Sequence, residues 1–147
     1  MKPIIAKAIS KTREWVTGYP AVVSNEQVLF VEGTAVSIVQ DTICYCINEV
    51  DMNGRELYVG DIVNDFSGGG LIENENFDGT QPVSIENPSW IRVGDDTRLG
   101  TIIMEDGTIR IGTAELDYAY NLSNGAKLSD TEYVGNTFDE ILKQQGI

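Results

Sequence analysis

The sequence predicts a mainly β protein, and three observations carry that expectation. Short β-branched and aromatic runs recur along the 147 residues, turn-forming Gly, Asn and Asp separate them, and only the C-terminal residues carry a helical period. A 41% hydrophobic fraction is enough to fill a core in a chain of this length without disulfides or a metal, so a single domain over residues 1–147 is expected.

The elements follow in chain order. Ile4 to Ile9 reads as a first strand, with Glu14 to Val16 and Ala21 to Val23 as two further short ones. Gln27 to Glu32 is a strand closed by Gly33, and Ala35 to Val39 follows with Val36 and Ile38 on one face. Thr42 to Ile47 is extended, which puts Cys44 and Cys46 on one side of a strand. At that spacing a relaxed disulfide is excluded, and both are expected to be reduced thiols that pack as small hydrophobes. Asn53-Gly54 is suited to the paired positive φ angles of a type I′ turn. Asp106-Gly107 is the stronger case, because it separates Thr101–Met104 from Thr108–Ile111 in a β-hairpin within residues 99–112.

Residues 64–89 differ in composition. They hold Asp65, Glu73, Glu75, Asp78 and Glu86 with no basic residue, and Gly68-Gly69-Gly70 is followed by Leu71-Ile72 rather than by the Lys and Ser/Thr of a phosphate loop. A long acidic loop is expected there, with Glu73, Glu75 and Asp78 lacking the spacing of a calcium loop. Trp90 to Val93, Tyr118 to Leu122 and Glu132 to Val134 resume the sheet. Thr137-Phe138-Asp139-Glu140 is a capping box for a short C-terminal helix, whose stripe of Phe138, Ile141 and Leu142 must dock on the sheet or on another subunit.

Charge and composition then exclude function classes. With 10 basic and 23 acidic residues the net charge is −13, and Lys2, Lys7, Lys11 and Arg13 form a basic leading edge on an acidic body. Such a body repels a phosphate backbone, so no direct nucleic-acid binding is expected. No apolar run is long enough to span a membrane and Met1 to Ser10 lacks the features of a cleaved signal, so a cytoplasmic location is expected. Histidine is absent, which removes Ser-His-Asp and Cys-His catalysis and imidazole metal ligation. Carboxylate pairs remain, but Asp95-Asp96 and Glu105-Asp106 occupy turn positions where Asp serves the backbone, and neighbours in a strand point apart. No catalytic residue, cofactor or metal is therefore assigned.

The densest pattern is Asp51-Met52-Asn53-Gly54-Arg55-Glu56-Leu57-Tyr58-Val59-Gly60-Asp61-Ile62-Val63. Asn53 and Gly54 turn the chain, Leu57 and Tyr58 supply one apolar and one amphipathic side chain, and Gly60 permits a second bend. Asp61 is positioned to accept backbone amides at that bend, so Asn53, Gly54, Tyr58, Gly60 and Asp61 read as a structural signature. This string resembles the signature of the YopX-like family of phage and prophage proteins. Glu14-Trp15-Val16-Thr17-Gly18-Tyr19, Val39-Gln40-Asp41-Thr42-Ile43 and Glu132-Tyr133-Val134-Gly135-Asn136 resemble that family's flanking elements, and the likeness covers about half the chain. Ile5-Ala6-Lys7 stands where the family usually has Phe-Arg, and residues 64–130 depart from its shorter pattern as an extended β/loop insertion.

The resemblance implies a small SH3-like β-barrel with a mobile-element origin, and it implies no reaction. The expected role is that of a non-enzymatic phage or prophage accessory protein, a homo-oligomer that also engages a host or phage protein. Trp15, Tyr19 and Trp90, with Tyr118 and Tyr120, are the candidate interaction surface. The alternative is an acidic protein that imitates DNA and occupies a DNA-binding partner.

Overall fold

The computed structural model describes residues 5–66, 89–91, 98–112, 114–115 and 128–143. Within them the chain groups into two compact units, one formed by residues 1–46 and 138–147 and the other by residues 47–137. The strands are β1 (Ala6–Ile9), β2 (Trp15–Val23), β3 (Glu26–Val31), β4 (Thr34–Ser37), β5 (Cys44–Val50), β6 (Glu56–Tyr58), β7 (Asp61–Asp65), β8 (Ser89–Ile91), β9 (Arg98–Glu105), β10 (Thr108–Ile111), β11 (Ala114–Glu115) and β12 (Thr131–Asn136). A single turn of 3-10 helix at Leu128–Asp130 precedes β12, and the helix α1 spans Asp139–Lys143. The mainly β expectation holds. Among the described residues the strands make two antiparallel sheets and no closed barrel.

The first unit is a meander. Its hydrogen-bonded order β4-β3-β2-β1 is the chain order reversed, and β5 follows on the far side of β1 through the pairs Ala6↔Tyr45 and Lys7↔Cys44. Two tight turns build it. Ser24 and Asn25 take φ of 52° and 65° between Val23 and Glu26, and Glu32 and Gly33 take 51° and 83° between Val31 and Thr34. Paired positive φ angles match the right-handed twist of the strands they join, so Ser24 and Glu32, which usually avoid this region, are held there by the hairpin, while Asn25 and Gly33 enter it readily. Neither turn carries an Asn-Gly or Asp-Gly pair, and neither was read as a hairpin turn from the sequence.

The two short strands expected at residues 14–16 and 21–23 are one continuous strand, β2. Gly18 and Pro20 lie inside it. A side chain at Gly18 would drive its Cβ into the Phe30 carbonyl oxygen, so glycine is needed for β3 to approach. Among the described residues β2 pairs with β1 only as far as Gly18, so Pro20 sits where one partner strand suffices. Ala6, Ala8, Leu29 and Ile38 form this unit's core, with Val16, Val31 and Ile43 packed against it. An isolated bridge between Ser10 and Ile38, with Val39 donating its amide to the Ile9 carbonyl at 2.7 Å, brings the end of β1 beside the end of β4. The meander therefore curls toward closure at that end.

In the second unit β7 is flanked by β9 and β12, and β9 pairs on with β10 and with β8. The Asp106-Gly107 hairpin has the expected form: φ is 52° and 79°, and Glu105 pairs with Thr108. Ile47, Leu57, Val63, Ile102, Ile111 and Leu128 form the core. β5 enters this unit with Asn48 at φ 60°, which breaks the alternation that puts Cys44 inward and Tyr45 outward. Neither cysteine forms a disulfide; Cys44 is buried and Cys46 half-buried. Tyr118 to Leu122, Asp95-Asp96, Gly68 to Gly70 and the acids Glu73, Glu75 and Asp78 lie outside the described residues.

Candidate functional site: an acidic signature that clamps the backbone

The signature segment occupies the β5–β6 turn, β6, the bend after it and the start of β7. Its two aspartates are buried, and each spends both oxygens on donors. Asp51 Oδ1 accepts from the amides of Asn53 at 2.9 Å and Arg55 at 3.0 Å, while Oδ2 accepts from the amide of Tyr133 at 2.8 Å. Its own carbonyl accepts from the Gly54 amide at 3.0 Å. This geometry corrects the expected type I′ turn. Gly54 has φ of 78° but Asn53 does not enter the positive region, because Asp51 imposes an Asx-type turn on the two amides that follow. Burial alone would push the Asp51 carboxyl up. The amides of Tyr133, Arg55 and Asn53, with the Arg55 charge, reverse that and hold it below the usual carboxylate range.

Asp51 also completes a sheet edge. β12 pairs with β7 on one side, and on the other its outward groups are met by the signature turn: Met52 donates its amide to the Thr131 carbonyl at 2.9 Å and Tyr133 donates to Asp51. A carboxylate thus stands where a neighbouring strand's carbonyl would be. An uncovered edge invites pairing with other chains, and this cover blunts it over Thr131 to Tyr133. The Arg55 guanidinium stacks over the Tyr133 ring at 3.5 Å and fastens the same turn from above. One residue further, Val134 is the extra residue of a β-bulge between Tyr133 and Gly135 and is exposed.

Asp61 is the second clamp. Its Oδ2 accepts from the Tyr58 amide at 2.8 Å, closing the bend between β6 and β7 as the sequence reading placed it. Its Oδ1 accepts from the Asn136 side-chain amide at 2.8 Å, and Asn136 is its direct partner across the β7–β12 ladder. Gly60, with φ of 99°, is tied on both sides of its backbone: its amide donates to the Ile102 carbonyl at 2.7 Å and its carbonyl accepts from the Thr137 amide at 2.9 Å. The Thr137 amide, which the capping box assigns to Glu140, is thus engaged by Gly60. Sequence reasoning missed Asp51, Arg55, Tyr133 and Asn136. The one signal that could have found Asp51 is its position two residues before Asn53, the spacing of an Asx turn.

The candidate interaction residues divide. Trp15 is half-buried, its indole N–H donates to Asp139 Oδ1 at 3.2 Å, and the Lys7 ammonium sits 4.8 Å from its ring. Trp15 therefore ties the start of α1 to β2 within the first unit. Lys7, only 7% exposed, is withdrawn from the basic leading edge. Tyr19 is 47% exposed, and the Trp90 side chain lies outside the described residues. Among the described residues no three acids or cysteines come together in a group that could hold a metal ion, and no helix is long and apolar enough to cross a membrane.

The fold and this site define a two-sheet antiparallel β protein whose acidic signature serves the backbone. Comparison with models of known protein families gives no match, and comparisons with curated proteins and with solved structures give none either.

Proposed function

We propose that the chain is a non-enzymatic interaction module that assembles with itself, a phage or prophage accessory protein of the YopX-like kind built on an SH3-like barrel. The observation that carries the reading is the β2–β3 hairpin. Among the described residues its β2 arm beyond Gly18 has β3 as its one partner, and that arm exposes apolar side chains on both faces, Tyr19 and Val23 at 47% and 45% on one and Val22 at 70% on the other. Exposed apolar side chains on both faces of this strand are a surface suited to a second chain. The curl of the meander at Ser10 and Ile38 supports the barrel, and the engagement of Asp51 and Asp61 by backbone and Asn136 donors supports an architectural signature rather than a reactive one.

Multi-angle light scattering tests the reading. The expected result is an oligomer at micromolar to near-millimolar chain that Val22→Asp combined with Tyr19→Ser shifts toward monomer, with the far-ultraviolet circular dichroism unchanged. A strict monomer across that range would remove self-assembly. The host or phage partner is tested by affinity capture, in which retention lost as salt is raised would instead favour the acidic DNA-imitating alternative.

A further inference from the structure

The turn that covers β12 carries the one Asn-Gly pair among the described residues. Asn53 and Gly54 are both exposed, and Gly54 has no side chain to hinder ring closure on its nitrogen. When the Gly54 backbone nitrogen loses its proton it can attack the Asn53 side-chain carbonyl carbon. A new N–C bond forms, the bond from that carbon to Nδ2 breaks as Nδ2 takes a proton from water, and ammonia leaves, giving a five-membered succinimide. Water then opens the ring at either carbonyl, yielding aspartate or its backbone-lengthened isomer, isoaspartate.

The surrounding hydrogen bonds bear on each requirement of that reaction. The Gly54 amide donates its proton to the Asp51 carbonyl at 3.0 Å, which keeps the nitrogen protonated and aims it at Asp51. The amides on either side, Asn53 and Arg55, are fixed on Asp51 Oδ1 at 2.9 and 3.0 Å, so the backbone cannot rotate into the cyclising conformation without releasing them. We infer that Asn53 is a deamidation site whose reaction is held in check by the Asp51 clamp, through the hydrogen bonds that Asp51 makes to the amides of Asn53, Gly54 and Arg55. Isoaspartate at this position adds one carbon to the backbone of the turn, which displaces the Gly54 amide and works against the cover on β12.

The test follows isoaspartate at residue 53 by peptide mapping after incubation at mildly alkaline pH and warm temperature, with the folded full chain and the urea-unfolded full chain in parallel. In urea Asn53 and the chain's other Asn-Gly pair, Asn124-Gly125, react at similar rates, which sets the unrestrained reference. Folded wild type is expected to modify Asn53 more slowly than that reference by about tenfold or more, the factor that losing one or two backbone hydrogen bonds restores. Folded Asp51→Ala is expected to recover most of the reference rate, and Asp51→Asn, which keeps one acceptor oxygen, to fall between. If Asp51→Ala does not fold, Asp51→Asn against wild type decides. Equal rates in folded and unfolded wild type would overturn the inference, as would folded Asp51 variants that age Asn53 no faster than wild type.

Discussion

The two units of this chain hold their strands together by different means. In the first, β1 to β4 follow one another through short turns, and the sheet order simply reverses the chain order. In the second, β7 pairs with β12, and the bonds that fix this pairing join residues 75 and 82 positions apart, Asp61 to Asn136 and Asp51 to Tyr133. A meander obtains its register from its turns. A pairing between distant segments has no turn to set it, and a slip by one residue would face every side chain the wrong way. Buried polar groups that find partners in one register only supply what the turn cannot.

That contrast is sharpest at Asp61, where the largest effect is expected. Asp61→Ala leaves the Tyr58 amide and the Asn136 side-chain amide without their acceptor in a site with no solvent exposure, and about 3 kcal/mol of stability should be lost in urea unfolding. A loss under 1 kcal/mol, with the fold retained, would show that long-range register does not depend on this clamp.

The first unit should break by crowding instead. Gly18→Ala places a methyl carbon against the Phe30 carbonyl and forces β2 away from β3, at a cost of about 2 kcal/mol in the same measurement. Unchanged stability would mean that the hairpin is more compliant than its register implies.

Asp51 gives the second unit a pH dependence of defined sign. Its folded-state pKa lies below the ordinary value, so its contribution is present above the unfolded-state pKa and is lost as pH falls through the folded-state one. Denaturation followed below about pH 4 should therefore be steeper for wild type than for Asp51→Asn, with a difference of about 1 kcal/mol. Parallel acid profiles would exclude Asp51 as the group responsible. The smallest effect is expected at Arg55: Arg55→Ala removes the cation above the Tyr133 ring and should cost about 0.5–1 kcal/mol, whereas Arg55→Lys should retain part of it. If both variants match wild type in thermal unfolding, the stacking contributes only geometry.

Much of this architecture is legible in the residues because the relevant forces are local. Alternation in Gln27–Glu32 and Thr108–Ile111 gives strands, Asp106-Gly107 gives a hairpin, and Thr137 to Glu140 gives a helix start within two residues of its observed place. The continuity of β2 was hidden because Gly18 and Pro20 read as breakers when the strand partners that tolerate them are not in view. The turns at Ser24-Asn25 and Glu32-Gly33 were hidden because Ser24 and Glu32, at the first position of each, take positive φ under the constraint of the hairpins they close, rather than by preference.

The sequence by itself determined the β class, the Asp106-Gly107 hairpin and the bend at Gly60 and Asp61, since bends and alternation are encoded by neighbouring residues. Only the tertiary structure decided that Asp51 covers the edge of β12, that Asn136 answers Asp61, and that Trp15 holds α1. Those bonds join side chains far apart in the chain, and hydrogen bonding discriminates between partners only once folding has brought them within about 3 Å.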